Sequence, residues 1–367
     1  MIVPNAAPTR LSASEGIAVR GAVAEVLESD HWILGPSVDR FEADFAAYLG
    51  FGEIVGVANG TDALTIALCA LDLAPGSGVL VAANEGGYAA TACRLAGLVP
   101  VVMDVDGYTM LPSPATAQAA MNNDVNAIVV THLHGEAGDI HELDAWRDEH
   151  GLLLVEDCAQ AAGARGADGH VGSRGDAATF SFYPTNNLAA LGDAGAIVFA
   201  EPERARRARS LREYGWGERF RAEVPRGRNS RMDAIHASIL SARLPFLDAR
   251  NSARREVANK YRDVFEDRAA RVHGDRLTSV AHHCVVVTDH RDQLASHLDS
   301  RGISSSVHYP FLVTEMPGIA AVPPLTGVPV ASSLRDRMLS LPCFPELTDD
   351  EIAHVVEAIK EWDEPDP

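Results

Sequence analysis

A chain of 367 residues with 47% apolar and 22% charged residues has the composition of a folded globular protein of one large or two ordinary domains, which excludes wholesale disorder. No apolar run reaches the ~18 residues that a membrane span needs. The 51 acidic against 31 basic residues leave a formal charge of -20, which repels phosphate backbones and anionic lipid and excludes nucleic acid and membranes as expected partners.

The opening run MIVPNAAPTR has no charged segment followed by an apolar stretch, so a cytoplasmic location is expected. Amphipathic helices are predicted over residues 14–29 and 37–49, each led by a serine able to cap its first turn, and Gly50 stops the second. Apolar runs then alternate with helical segments, the pattern of a parallel sheet with crossover helices, and the fold class is α/β. Strands are predicted at 54–58, 79–83, 99–104, 127–131, 152–156, 179–183 and 196–200, with helices at 61–73, 88–98 and 140–150 among them. A charged helical stretch interrupted at Pro245 suggests a boundary there, giving domains 1–245 and 246–367. The second domain is read as a smaller α/β unit with strands near 284–288 and 304–307, an irregular loop over 310–330 and a last helix at 349–362.

Two counts constrain the chemistry. Five cysteines, widely spaced and without a CxxC pair, form neither a disulfide framework nor a zinc site, and no metal is expected. Among the 31 basic residues only Lys260 and Lys360 are lysines, so any reaction that needs an amine has two candidates, both on predicted solvated helix faces.

Three segments could carry chemistry. In VANGTDAL (57–64) a strand passes through Gly60 into a helix starting at Thr61, an arrangement whose free amides can hold a phosphate. Taken alone, Thr61 reads as a plain helix cap. In LLLVEDCAQ (152–160) an apolar strand ends in two carboxylates at the edge where open α/β sheets bind ligands. Buried there, Asp157 would need a cation such as a protonated pyridine, or would cap the next turn. The third, FSFYPTNNLAALGDAGAI (180–197), joins a strand, the Ser181 hydroxyl and a Gly-rich turn.

Together with NSRMD (229–233), HWILGP (31–36), HYP (308–310) and LSLPCFPELT (339–348), these segments resemble, nearly end to end, the DegT/DnrJ/EryC1/StrS sugar aminotransferases. The resemblance implies a fold-type I scaffold, a large cofactor domain with a mostly parallel sheet between helices, a smaller C-terminal domain and a pyridoxal phosphate cofactor. It also implies that Gly60, Thr61 and Ser181 hold the cofactor phosphate and that Asp157 pairs with the pyridine nitrogen. Gln160 would lie near the ring 3-oxygen, and Tyr88 would stack on the ring, with ordinary core packing as its competing role. Asn229 would reach the phosphate from the other subunit of a homodimer, and His308 and Tyr309 would meet a nucleotide-linked sugar.

One position departs from the pattern. The family reads SFYPTKNL where this chain reads SFYPTNNL (181–188), so Asn186 stands in place of the lysine that tethers the cofactor. An amide hydrogen-bonds but has no titratable lone pair and moves no proton. Relatives with histidine there dehydrate keto sugars, and Asn186 does not match them either. Histidines that could supply a base are His132 and His134 in THLHG (131–135) and His308; His134 stands where the family more often has tyrosine, and each also reads as a structural histidine. Three functions remain open. The first is an enzyme that holds pyridoxal or pyridoxamine phosphate non-covalently and acts on an activated keto sugar in antibiotic or glycan synthesis, with Asn186, Asp157 and His134 at its catalytic centre. The second is a non-catalytic partner of an active paralogue; the third is a pocket reassigned to chemistry without that cofactor, or with no cofactor at all. A deliberate Lys→Asn substitution would give the same sequence and restore the plain aminotransferase.

Overall fold

The computed structural model describes residues 1–167 and 169–363; the last four residues of the expected second domain lie outside them. In chain order the strands are β1 (Glu53–Val57), β2 (Gly78–Ala82), β3 (Val99–Met103), β4 (Val125–Thr131), β5 (Leu153–Asp157), β6 (Arg165–Gly166), β7 (Gly169–His170), β8 (Ala177–Ser181) and β9 (Gly195–Phe199). They continue with β10 (Trp216–Glu218), β11 (Arg221–Ala222), β12 (Arg271–Val272), β13 (Cys284–Val287) and β14 (Met338–Leu341). The helices are α1 (Ala13–Leu27), α2 (Pro36–Leu49), α3 (Gly60–Ala70), α4 (Tyr88–Leu95), α5 (Pro114–Ala120), α6 (His141–Glu149), α7 (Pro202–Leu211), α8 (Ala234–Arg243), α9 (Leu247–Phe265), α10 (Arg291–Ser300), α11 (Pro329–Arg337) and α12 (Asp349–Glu361). No helix among the described residues is long and apolar enough to cross a membrane.

Seven strands form one sheet in the order β1-β9-β8-β5-β4-β2-β3. From β3 to β8 neighbours run parallel, while β9 runs antiparallel to both β8 and β1. Both faces of such a sheet must be covered, and successive residues serve opposite cores. Leu154 packs with Trp146 of α6 and its neighbours, whereas Val155 packs with Leu64 and Ile66 of α3. Near β8 and β9, Phe180 and Phe182 join Phe41 and Phe45 of α2 in a cluster of rings meeting edge to face. Burying each ring in full contributes about 2–3 kcal/mol.

The predicted helix starts move by a residue or two once the caps are visible. Ser12, not Ser14, caps α1 by accepting from the Glu15 amide at 3.2 Å, and α2 opens at Pro36 behind Gly35 with no side-chain cap. At the expected boundary, Pro245 lies in a tight turn of 3-10 helix, Leu244–Phe246, between α8 and α9.

A three-stranded antiparallel sheet, β12-β13-β14, packs with α9, α10 and α12 around Tyr261, Leu294, Leu298 and Val355. Residues 304–307, expected as a strand, instead make only the single bridge Ser306↔Ser340; β14 takes the place beside β13. Part of the expected loop 310–330 turns into the start of α11. Val3 also belongs to this smaller core, its amide donating to the Gly302 carbonyl at 2.9 Å and its carbonyl accepting from Ser304 at 2.9 Å. Arg10 then forks onto the Glu351 carboxylate at 2.8 and 2.9 Å, the same carboxylate that closes the Thr348 capping box of α12.

Candidate active site

The carboxyl ends of β4, β5 and β8 lie side by side, with Thr131 in register with Asp157. Beyond them opens a cavity of about 510 Å³. Gly60, Thr61, Asp157 and Ser181 line its sheet side, Tyr88, Gln160 and Asn186 its flanks, and His308 and Tyr309 close it from the C-terminal unit. This is the edge at which open α/β sheets bind ligands.

The α3 end of the cavity offers free amides of the kind that can hold an anion. Asn59, not Thr61, is the cap: its Oδ1 accepts from the Asp62 amide at 2.8 Å. The amides of Gly60 and Thr61, in the first turn, have no intrahelical acceptor. A Cβ at residue 60 would come within 2.6 Å of the Ser181 Cβ, so glycine is what lets the helix start beside that hydroxyl.

At the end of β5 the two carboxylates part, as strand alternation requires. Glu156 turns away from the cavity and accepts from the amides of Gly172 (2.9 Å), Arg174 (2.8 Å) and Gly175 (2.8 Å) and pairs with His132 Nε2 at 2.9 Å. Burial opposes its charge, but the His132 contact and the amides hold its carboxyl below the usual range. Asp157, 3% exposed, has no ion pair among the described residues; its oxygens accept from the Ala159 amide at 3.1 Å and the Thr131 hydroxyl at 3.3 Å. Burial pushes its carboxyl up to about 6.

Tyr88 begins α4 and remains 49% exposed, its ring edge-on to Tyr309 at 5.8 Å. A Cβ on Gly86 (φ 76°) would strike both rings at 2.9 Å, so the left-handed glycine permits this approach. The Gln160 amide is held at both ends: Nε2 donates to the Tyr309 hydroxyl at 2.8 Å and Oε1 accepts from the His134 amide at 2.6 Å. Asn186, 8% exposed, folds back and donates from Nδ2 to the Ser181 carbonyl at 2.8 Å. Both lysines are exposed, on α9 and α12, and neither lines the cavity.

Two residues named from the sequence lie outside this cavity, Asn229 being one expected to serve another subunit's site. His134 does not line the cavity; it is buried behind the wall in a left-handed conformation (φ 62°), its Nδ1 3.3 Å from His283 Nδ1. Asn229 is exposed, its backbone bridged to Glu213 and its Oδ1 accepting from Arg231 Nε at 3.0 Å, outside the cavity of its own chain.

Sequence reasoning missed Glu85, His282 and His283, all of which line the cavity. Glu85 is 2% exposed, accepts from the Ala89 and Ala90 amides at 2.7 and 3.0 Å, and is pushed up to about 8 mainly by burial. Its signal was a carboxylate just before the glycine pair of NEGGY; that of the histidines was their doublet before an apolar strand. Among the described residues His132, Glu156 and Cys158 come close enough to share an ion, but the Glu156 carboxylate is already engaged by backbone amides. All five cysteines are buried free thiols.

The sheet order, the helices on both of its faces and a site at its carboxyl edge define a fold-type I aminotransferase scaffold. Residues 15–360 match the DegT/DnrJ/EryC1/StrS aminotransferase family, and the chain belongs to it. It is 38% identical over 349 residues to a dTDP-3-amino-3,4,6-trideoxy-alpha-D-glucose transaminase of Streptomyces venezuelae, covering 94% of this chain and 91% of that one. To a UDP-N-acetyl-3-dehydro-alpha-D-glucosamine 3-aminotransferase of Acidithiobacillus ferrooxidans it is 37% identical over 344 residues, 92% of each. The crystal structure of S. venezuelae DesV in complex with a ketimine intermediate superposes with a TM-score of 0.93 at 36% identity, covering 98% of both chains.

Proposed function

We propose that this protein is an enzyme of nucleotide-sugar modification, in antibiotic or surface-glycan synthesis, that holds pyridoxal or pyridoxamine phosphate without a covalent tether. The observation that carries the reading is Asp157, a buried carboxylate with no cation beside it. Such a group is costly to bury, and a protonated pyridine nitrogen would remove that cost while being kept protonated by it. The Gly60 and Thr61 amides with the Ser181 hydroxyl would hold the phosphate, and Tyr88 would cover the ring. Gln160, braced between His134 and Tyr309, would lie beside the ring oxygen. When bound, the cofactor supplies an electron-poor ring that accepts the electron pair released at a neighbouring carbon.

The first domain would form the cradle and the described residues from 246 to 363 its far wall, where His308 and Tyr309 would meet the sugar. The exposure of Asn229 outside its own cavity supports a homodimer in which each chain lends that side chain to the other's phosphate. With Asn186 where the family has lysine, ordinary transamination is slow or absent, because an amide passes on no proton. Equilibrium dialysis against both cofactor forms tests the reading: binding of at least one is expected, and binding of neither overturns it.

The same exposure of Asn229 favours a second reading, a lysine-free subunit that completes the site of an active paralogue. It predicts copurification with that paralogue and weak substrate binding alone. A pocket reassigned to reactions without the cofactor ranks below both, since it leaves Asp157 unexplained.

A further inference from the structure

We infer that His282 and His283 are the cavity's proton acceptor and its hydrogen-bond donor, two neutral imidazoles held in opposite tautomers that divide the work a lysine amine performs alone. This rests on the reading of the site proposed above. The two rings stand 4.2 Å apart at 61° and both line the cavity. They lie in the bend before β13 and not in the strand, behind a left-handed Ala281 (φ 44°), so consecutive side chains escape the alternation that would send one of them away.

The tautomer of His282 follows from two fixed carbonyls. Asn251 Nδ2 donates to the Ala162 carbonyl at 3.0 Å, which leaves Asn251 Oδ1 as an acceptor. Asn187 Nδ2 therefore faces that oxygen, at 2.7 Å, and donates also to the Val280 carbonyl at 3.0 Å. The remaining atom, Asn187 Oδ1, can only accept, so the nitrogen 3.0 Å from it, His282 Nδ1, carries the proton. The lone pair of His282 is left on Nε2, which has no hydrogen-bond partner among the described residues.

The tautomer of His283 follows from His134. Their Nδ1 atoms are 3.3 Å apart, so one of them donates, and His134 Nε2 is buried without a partner. An orphaned N–H is the costlier orphan to bury, which puts the His134 proton on Nδ1, shared with His283. His283 then carries its own proton on Nε2, where no protein acceptor meets it among the described residues. Its ring is fixed further by face-to-face stacking on His308 at 3.8 Å and 7°. Burial holds both imidazoles well below the usual histidine range, which keeps them neutral near pH 7.

The other histidines at the site are less suited. His132 is committed to Glu156, His134 lies behind the wall, and His308 Nδ1 meets only the Ser340 hydroxyl, which can donate or accept. In the proposed step a C–H bond of an acidic carbon breaks and an N–H bond forms at His282 Nε2, the electron pair left on the carbon delocalising onto a conjugated oxygen. The imidazolium then returns that proton to the accepting carbon, so His282 ends neutral. His283 Nε2–H donates throughout to an oxygen on which negative charge develops. Asn187 and His134 are positioning residues, acting through the rings that they orient.

The full-length protein with ¹⁵N-labelled histidines tests this in long-range ¹H–¹⁵N spectra, which distinguish the two neutral tautomers. His282 is expected protonated on Nδ1 and His283 on Nε2, each assigned by the signals missing in H282Q and H283Q. Asn187→Leu should release His282 from its single form. A second measurement follows the methylene hydrogens of pyridoxamine phosphate exchanging in D2O: the parent should exchange above the rate of cofactor alone, H282Q at least about tenfold more slowly, and H283Q in between. The same tautomer on both rings, no exchange by the parent above background, or parent-like exchange in H282Q would each overturn the inference. Failure of pyridoxamine phosphate to bind in dialysis would instead overturn the proposed function, with the spectra still deciding the tautomers.

Discussion

The Asn186 amide donates to the backbone carbonyl of Ser181 at 2.8 Å, so this side chain is tied to the strand whose hydroxyl faces the α3 N-terminus. The tie keeps a short polar group at the cavity wall without filling the cavity.

Asn186→Lys should therefore be accommodated, because a longer side chain can extend into the 510 Å³ space that the amide leaves open. We expect the variant to develop a visible absorbance band with pyridoxal phosphate that the parent lacks, and to keep the cofactor through gel filtration. An apparent affinity at least about tenfold tighter is expected. If the variant folds and forms no band, the pocket is not the cradle that we describe.

Asp157→Asn should stabilise the ligand-free protein above neutrality. The carboxyl titrates near 3.8 when unfolded and about 6 when folded, so its stability is whole below the first value and falls as pH rises through the second. The loss is about 3 kcal/mol, an order-of-magnitude figure for a buried group. Thermal melts at pH 8 should place the variant above the parent, with the gap closing near pH 4. On the proposed reading the same variant should bind pyridoxal phosphate about tenfold or more weakly, since the carboxylate proposed to meet the ring nitrogen is gone.

Glu85→Gln tests the second buried carboxyl. Its folded value of about 8, against 4.5 when unfolded, means that it stays protonated at neutrality and costs stability as pH rises between those values. The Ala89 and Ala90 amides meet different carboxylate oxygens and a glutamine keeps only one acceptor, which costs some stability at every pH, but the variant does not titrate, so its melting point should gain on the parent's between pH 5 and pH 9. No such gain between pH 5 and pH 9 would mean that the carboxyl titrates normally.

Gly60→Val should lower stability by about 1–3 kcal/mol, because the new side chain meets the Ser181 Cβ and neither backbone can yield easily. Denaturant titration reads the loss. Competition between inorganic phosphate and the cofactor should weaken in the same variant.

The strands of the large sheet were legible because a buried parallel strand writes itself as a short apolar run, and β2, β3 and β9 lie within a residue or so of their predicted ends. The cavity residues carried by local motifs were legible for a similar reason: Gly60, Asp157 and Ser181 each sit where a strand meets a turn. What stayed hidden depends on distant contacts. β14 was unreadable as a strand because its pairing with β13 joins segments far apart in the chain, and that pairing leaves residues 304–307 with only the bridge Ser306↔Ser340. His134 was misplaced for a comparable reason: the motif puts it at a strand end, but its left-handed backbone turns the ring behind the wall, where only a segment from the smaller unit supplies its neighbour. Asn187 gave no signal of its own, since its role appears only with Asn251 and His282 around it.

The docking of Val3 between Gly302 and Ser304 has a consequence for folding. It joins segments far apart in the chain, and such non-local contacts carry a large loop-closure cost, so this part of the smaller core is a late contact to form. A bulky fusion ahead of Val3 would burden that late docking and leave the sheet of the larger unit, complete by Phe199, free to assemble first.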